Sequence, residues 1–293
     1  MRTPRGTLEF VEEEPARRRH PVGRVVLLLA VLAFIAGGWV GIRHLVDVVK
    51  GPICQASASG KTVSFTPEQM GNAATITAVS VQRSLPARAA TIALATAMQE
   101  SKLYNVRYGD RDSLGLFQQR PSQGWGTPEE ILDPVHAAGA FYDALVMIDG
   151  YQSMEITKVA QQVQRSAAPE AYAQHEPEAR VLASTLVGHS PAALGCRLRD
   201  PTQGHADALT TALHREYGIT ATRSGQTLTL TVDREDLAWS VAHWAVAKAS
   251  GYGVTQVDIG ARTWSRSSGD DALTWGTSTG ASKSPTTITI TVY

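Results

Sequence analysis

The sequence predicts an α+β protein in three parts: an N-terminal transmembrane helix, a mostly α-helical domain and a small C-terminal α+β sandwich. Three observations support this prediction. An uncharged apolar run lies near the N-terminus, helical patterns fill most of residues 67–196, and strand-like segments alternate with helices over residues 200–293. The 293 residues suffice for about two domains of ordinary size.

Opposite charges balance in this chain. Lys and Arg together number 27, and Asp and Glu also number 27. Nucleic-acid binding needs surplus positive charge, so the balance argues against nucleic acid as the main partner. Hydrophobic residues make up 43% and charged residues 18%, which excludes a wholly disordered chain and a protein with many membrane spans.

A single membrane anchor is predicted near the N-terminus. Residues 25–42 carry no charge and as a helix would be about 27 Å long, close to the hydrocarbon thickness of a bilayer. Arginines precede this run, so residues 1–24 are expected in the cytoplasm and everything after residue 42 outside. The expected location is the cell membrane, with one span. A cleaved signal peptide and a buried core helix are the alternatives.

Residues 43–66 show little periodic pattern and are predicted to form a stalk beside the membrane. The two cysteines, Cys54 and Cys196, both fall on the exported side, where disulfides persist. A bridge between them would bracket the helical domain and stabilise it by roughly 4 to 5 kcal/mol in the chain-entropy model. Two unrelated buried thiols are the alternative.

Residues 67–196 are predicted to be helical over most of their length. Thr66 can cap a helix that begins at Pro67, and a break separates it from a second helix over residues 87–102. The second helix is uncharged between Arg88 and Glu100, so burial on nearly every side is expected. Further helices are expected over residues 128–132, 135–148, 156–164 and 177–186.

Residues 200–293 combine helices with strands. Strict alternation of apolar and polar residues over residues 227–232 and 287–293 predicts half-buried strands. Helices are expected over residues 206–217 and 234–250. These elements together predict a small α+β sandwich.

Four tryptophans of this C-terminal part form two groups. Trp239 and Trp244 lie on the wide apolar arc of a predicted helix and are expected in the core. Trp264 and Trp275 flank a polar loop, and we expect them at the surface, where their rings could contact a partner.

Glu100 is a candidate general acid because of its position. It ends an uncharged helix, so its carboxyl group is expected to be partly desolvated, which raises the pKa. A carboxyl group that stays protonated near neutral pH can protonate the leaving oxygen in glycosidic-bond cleavage. A glutamate at the solvated end of a helix, next to Lys102, is the alternative.

Three motifs in this region resemble the lytic transglycosylase and goose-type lysozyme superfamily. The run AMQESKLYN contains a Glu-Ser pair at a helix end, Glu100 and Ser101. The run DSLGLFQQ matches the S-x-G-L-x-Q segment of that superfamily. The run ILDPVHAAGAFYDAL matches its Asp-Pro segment through Asp133, Pro134 and Tyr142.

The resemblance covers about residues 85–195 and implies a lysozyme-like domain over residues 67–196. One departure concerns the Asn-Ala-Gly motif that follows an aromatic residue in the superfamily. The run VQRSAAPEAYAQHEPEAR stands near that place instead, and Tyr172 is the residue that would supply the aromatic ring.

The resemblance implies cleavage of peptidoglycan glycan strands. Glu100 would protonate the oxygen that links N-acetylmuramic acid to N-acetylglucosamine. It would then accept a proton from the muramic C6 hydroxyl as that oxygen closes on C1, giving a 1,6-anhydro sugar. Hydrolysis is the near alternative, with Asp110 or Asp112 as a second carboxylate, although both aspartates also suit turns.

Further motif residues are expected to contact substrate. Gly115 would let the backbone approach the sugar, and Gln118 would bond an N-acetyl group or hold the catalytic carboxyl group. Trp125 would stack on a sugar ring, with core packing as the alternative. The other positions expected in substrate binding are Ser101, Ser113, Leu116 and Tyr172.

Peptidoglycan is thus the expected partner, and residues 200–293 are interpreted as an interaction domain for an envelope protein or the wall. No metal or cofactor is expected, because no H-x-x-x-H or C-x-x-C spacing occurs. A non-catalytic wall-binding scaffold and a single-pass sensor are the rival classes. The short segment of residues 1–24 leaves a sensor little room to signal.

Overall fold

A computed structural model describes residues 50–164, 169–278 and 284–293. In these ranges the chain forms eight α-helices and two antiparallel β-sheets, an α+β architecture. The helices of residues 67–186 lie between two strands of the first sheet in sequence, and the second sheet follows them.

The first sheet has three strands in the order β2-β1-β3. They are β1 (Ile53–Ala58), β2 (Lys61–Phe65) and β3 (Leu194–Arg197). Cys54 of β1 lies directly opposite Cys196 of β3 in the antiparallel register, and the two form a disulfide. The predicted bridge is confirmed, and it joins the two ends of the helical region.

Local capping explains where several of the helices in this region begin. Thr66 and Gln69 form a capping box in front of the first helix, and Asp133 accepts a hydrogen bond from the Val135 N–H. The second helix is buried on every side over residues 89–98. The helices are α1 (Pro67–Gln82), α2 (Ala87–Ser101), α3 (Pro128–Ile131), α4 (Pro134–Val146), α5 (Ile156–Gln164) and α6 (Glu176–Leu186).

The remaining part adds two helices and a six-stranded sheet in the order β4-β5-β9-β6-β7-β8. Alternation along the last strand places Ile288, Ile290 and Val292 in the core, as the sequence predicts. The elements are α7 (Ala206–Tyr217), β4 (Thr222–Ser224), β5 (Thr227–Thr231), α8 (Glu235–Tyr252), β6 (Val254–Ile259), β7 (Arg262–Ser265), β8 (Gly276–Thr277) and β9 (Thr287–Val292).

Helix α8 joins the two sheets and the helices into one body. It packs against β6 and β9 of the second sheet and against α1 and α6. Lys248 Nζ of α8 lies 3.0 Å from Oε1 of Glu216 of α7 and also donates to the hydroxyl group of Thr75 of α1. His243 Nδ1 lies 2.8 Å from the carbonyl oxygen of Thr185, and burial lowers the pKa of His243 to about 4. The described residues from position 51 onward form one compact unit.

The predicted division of the chain into a membrane helix, a helical domain and a separate sandwich is wrong, although the predicted α+β content is observed. Residues 53–65, expected in the stalk, form β1 and β2, because β1 gains backbone hydrogen bonds from strands on both sides. The helices of the expected mostly α-helical domain share a core with the C-terminal sheet through α8, so no separate sandwich stands beside them.

The described residues do not contain the transmembrane helix of the predicted fold class. Across the described ranges, no helix has both the length and the apolar character needed to cross a bilayer. The predicted span at residues 25–42 and the predicted cytoplasmic segment at residues 1–24 lie outside the described residues.

The surface position expected for Trp264 and Trp275 is also wrong, because both are buried. Each indole N–H donates to a backbone carbonyl oxygen at 2.8 Å, which satisfies the polar group inside the core. The Trp275 ring lies edge-on to Trp239, with ring centroids 5.2 Å apart. The tryptophan pair of α8 is buried, as predicted.

We expect reduction of the disulfide to destabilise the protein strongly. The bridge spans 142 residues, and the chain-entropy model gives roughly 4 to 5 kcal/mol for a loop of this size. Replacing Cys54 and Cys196 together by Ala should lower the free energy of unfolding by a similar amount. Thermal unfolding with and without a phosphine reductant measures both effects.

The double alanine variant is also the control for the reductant, which should not change its unfolding. If the reductant leaves the unfolding of the wild type unchanged although the bridge is broken, the stabilising role of the disulfide is refuted.

Candidate active site around Glu100

Glu100 lies in the last turn of α2, where the chain changes direction abruptly. The helix ends at Ser101 because Lys102 and Leu103 both adopt left-handed conformations, with φ of 56° and 63°. Their N–H groups donate back to carbonyl oxygens of the last helical turn at 3.0 and 3.1 Å. This ending leaves the Glu100 side chain at the edge of the helix bundle.

An open cleft of about 560 Å³ begins at this helix end. Its wall carries the Glu100 carboxyl group together with amide, hydroxyl and aromatic side chains, a combination suited to a polar ligand with ring faces. The lining residues are Glu68, Gln99, Glu100, Ser101, Lys102, Tyr104, Asn105, Val106, Tyr108, Gly109 and Gln118.

Burial controls the electrostatics of Glu100. Burial disfavours the charged carboxylate and raises the pKa of Glu100 above its ordinary value. The Tyr172 hydroxyl opposes this by donating to Oε1 of Glu100 at 2.6 Å, and the Gln164 side chain also hydrogen-bonds the carboxyl group. Burial outweighs the two hydrogen bonds together, so the pKa of Glu100 is raised overall.

Tyr172 is held in place by the docking of α6 onto α2. It lies in a short 3₁₀ segment, Pro169–His175, directly before α6, and its side chain is buried. At the start of α6, Glu176 Oε1 lies 2.6 Å from Nη1 of Arg88 in the first turn of α2. This ion pair joins the start of α6 to the first turn of α2, and His175 Nε2, 3.1 Å from Oε1 of Gln99, holds the segment beside the end of α2. The sequence predicts Tyr172 as the aromatic residue of this site, and the structure shows in addition that its hydroxyl hydrogen-bonds Glu100.

Gln164, the last residue of α5, is a site residue that the sequence analysis missed. Its Nε2 donates to the carbonyl oxygen of Phe117 at 2.6 Å, so it connects Glu100 to the segment containing residues 113–118. It stands at the beginning of the run that replaces the expected Asn-Ala-Gly motif. An amide side chain at that place is the signal that could have identified it.

Ser101, Gly115 and Leu116 of the motifs mainly hold the segment of residues 113–118 against the end of α2. The Ser101 hydroxyl lies 2.8 Å from the carbonyl oxygen of Leu116 and donates to it. Leu116 itself is fully buried and packs in the core instead of on the cleft. Gly115 has φ of +75°, and a Cβ there would lie 2.7 Å from the carbonyl oxygen of Ile131, so glycine is required for packing at this position.

Gln118 lines the cleft, whereas Ser113 does not. The Gln118 amide donates to the carbonyl oxygen of Gly115 at 3.2 Å, which orients the side chain along the cleft wall. A Cβ at Gly109 would overlap with this amide, so a side chain at that position would displace Gln118. Ser113 is 7% exposed, and its backbone N–H donates to Asp110, which places it in a turn beneath the surface.

The two aspartates expected as a second carboxylate contact residues other than Glu100. Asp112 is bonded by Ser122 and Arg120, and these hydrogen bonds hold its pKa far below the ordinary range. The Asp110 side chain is 92% exposed. Neither lines the cleft, whereas Glu68 of α1 does. Among the described residues, no three His, Cys, Asp or Glu side chains are grouped so that they could hold a metal ion.

Trp125 lies on a different cleft, with a volume of about 460 Å³. It is partly buried against the core and shares this second cleft with Asp143 and with Met147, whose side chain is 81% exposed. Core packing therefore applies in part, and the stacking of Trp125 on a sugar ring stays a prediction. The structure does not bring Trp125 into the cleft of Glu100.

Comparison with known proteins provides no family for this chain. No model of a known protein family matches the sequence, and no curated protein matches it significantly. Function is therefore inferred from the motif residues and from the geometry around Glu100.

Proposed function

We propose that this protein cleaves the glycan strands of peptidoglycan as a lytic transglycosylase, with Glu100 as the catalytic acid and base. The observation that carries this proposal is a carboxyl group with a raised pKa on the wall of an open polar cleft. The Glu-Ser and S-x-G-L-x-Q motifs resemble those of the superfamily at the same place in the chain. Together they favour proton transfer to a glycosidic oxygen.

In the first step, the protonated Glu100 donates its proton to the oxygen between N-acetylmuramic acid and N-acetylglucosamine. The C1–O bond breaks as the proton arrives, and positive charge develops on the muramic ring. Burial supports this step, because it keeps the acid form populated at a higher pH than an exposed glutamate would.

In the second step, the Glu100 carboxylate removes a proton from the C6 hydroxyl of the muramic residue. The freed oxygen bonds to C1, and the product is a 1,6-anhydro sugar. The Tyr172 and Gln164 hydrogen bonds support this step, since donors to a carboxylate stabilise its charged form. Burial and hydrogen bonding thus favour the two protonation states that the two steps require.

The contacts of Asp110 and Asp112 speak against either of them as the second carboxylate of a hydrolase, and Glu68 is the other carboxylate on the cleft wall. An inverting hydrolase holds its second carboxylate about 6.5 to 9.5 Å from the acid, with a water between them. Asp112 is engaged by Arg120 and Ser122, and Asp110 faces solvent outside the cleft. Transglycosylation needs no second carboxylate, because the substrate supplies its own nucleophile.

The disulfide supports a location outside the cytoplasm. Bridges between cysteines persist in oxidising compartments and are rare in the bacterial or eukaryotic cytosol. The Cys54–Cys196 bridge encloses all the residues around Glu100. This agrees with peptidoglycan as substrate, since the polymer lies on the outer side of the cell membrane.

Replacing Glu100 by Gln should abolish release of soluble sugars from purified sacculi. Glutamine has nearly the same shape but cannot donate the proton, and loss of a general acid lowers the rate by at least about a hundredfold. Mass spectrometry of the digest identifies the product, which should be one water lighter than the hydrolysed fragment. Glu235→Gln, at an exposed position in the first turn of α8, is the matched control.

Each other outcome of this digestion identifies a different function. A wild-type product that contains the additional water indicates hydrolysis and contradicts transglycosylation. If the wild type and Glu100→Gln release equal amounts of sugar, Glu100 is not the catalytic residue. Binding to sacculi without release of sugar by the wild type indicates the non-catalytic scaffold.

Replacing Tyr172 by Phe should move the alkaline limb of the pH profile of kcat to higher pH. That limb reports loss of the proton from Glu100, and the Tyr172 hydroxyl lowers the pKa of Glu100 by bonding its carboxylate. Removing the hydroxyl therefore raises the pKa further, whereas a purely structural role would leave the limb in place. Tyr293→Phe, at an exposed position, is the control. An unchanged limb, or one displaced to lower pH, refutes the assigned role of Tyr172.

A further inference from the structure

A second cleft of about 310 Å³ lies between the N-terminal end of α1 and the C-terminal end of α8. Glu68 of α1 lines both this cleft and the cleft of Glu100, so the two adjoin at that side chain. We call the second cleft the α1–α8 cleft. Its lining residues are Pro67, Glu68, Gly71, Asn72, Ala247, Lys248, Ser250, Gly251 and Tyr252.

We propose that the α1–α8 cleft binds sugars of the same glycan strand on which Glu100 acts. The strand passes Glu68 and continues onto the surface formed by α8, so residues from the C-terminal part of the chain contribute directly to substrate binding. This inference rests on the proposed function. It gives the second part of the chain a role in binding the substrate, distinct from the proton transfer at Glu100.

The chemistry of the lining fits neutral amino sugars. The Ser250 hydroxyl and the Tyr252 side chain offer hydrogen bonds and a ring face, the groups that commonly bind sugar hydroxyls and sugar rings. The Lys248 ammonium group is already bonded to Glu216 and Thr75 inside the protein. Its charge is therefore compensated, which favours a neutral polymer over a phosphate-containing one.

The two clefts keep a fixed position relative to each other. Two amides on α1 bond the chain where α2 ends: Gln69 donates to the carbonyl oxygen of Lys102 and Asn72 to that of Leu103, each at 2.8 Å. On the other side, α1 packs along α8, and the contact from Lys248 to Thr75 joins them. A strand bound in both clefts would therefore meet a preorganised surface, which reduces the entropic cost of binding.

Gly251 offers a way to fill the α1–α8 cleft without disturbing the fold. It lies in the last turn of α8, and a Cβ built there meets no heavy atom within 4 Å. Leucine is a better helix former than glycine, so Gly251→Leu should be at least as stable as the wild type while it adds a bulky side chain to the lining of the α1–α8 cleft and of a neighbouring cleft that Gly251 also borders. Ala208→Leu, at an exposed position on α7, is a matched control outside the lining.

The first test measures binding in the full chain carrying Glu100→Gln, which should bind strands without cleaving them. Adding Gly251→Leu should weaken binding to purified sacculi about tenfold in a sedimentation assay, or roughly 1.4 kcal/mol. Adding Ala208→Leu should leave the affinity unchanged. Equal binding by all three proteins overturns the proposal, whether or not the wild type is an enzyme.

The second test measures cleavage of defined oligosaccharides of increasing length. The wild type should gain kcat/KM as the chain grows long enough to enter the α1–α8 cleft, and Gly251→Leu should remove that gain while leaving the rate on the shortest cleaved substrate unchanged. An unaltered length dependence in Gly251→Leu overturns the proposal while transglycosylation stands. Loss of binding in Gly251→Leu, with no cleavage by the wild type, supports the cleft and refutes the enzyme.

Discussion

The structure of this site depends on the balance between burial of the Glu100 carboxyl group and the hydrogen bonds that it accepts. Burial favours the protonated acid, and the position of Glu100 at the negative end of the α2 dipole acts in the same direction. Tyr172 and Gln164 favour the carboxylate. A group that must first give a proton and then take one needs both influences, since either alone would fix a single protonation state.

The rest of the fold maintains this balance by keeping distant segments against the end of α2. Tyr172 comes from a segment more than seventy residues further along the chain, and its own bond to Glu100 and the contact of His175 with Gln99 hold this segment there. The disulfide between Cys54 and Cys196 closes the sheet that borders the helical region. The buried contacts of α8 then join this region to the second sheet, so the cleft rests on one continuous core.

Sequence patterns predict what is determined locally. The helix that starts after Thr66 and the position of Glu100 at the end of a buried helix follow from capping residues and apolar runs. The hydrogen bonds from Tyr172 and Gln164 depend on tertiary packing, which spacing along the chain does not encode. The strands of residues 53–65 do not follow from the sequence pattern, because the side chains that β1 buries are small and their alternation with polar residues is a weak signal. The burial of Trp275 likewise depends on an acceptor far away in sequence, the carbonyl oxygen of Leu194.

The protonation of Glu100 is the quantity on which the account depends most directly, and NMR can measure it. Titration of the side-chain carboxyl ¹³C resonance of Glu100, assigned by its absence in Glu100→Gln, gives the midpoint in the free protein. We expect a midpoint above the ordinary pKa of a glutamate side chain, because burial outweighs the donated hydrogen bonds. A midpoint equal to or below the ordinary pKa of glutamate would contradict the assigned role of burial.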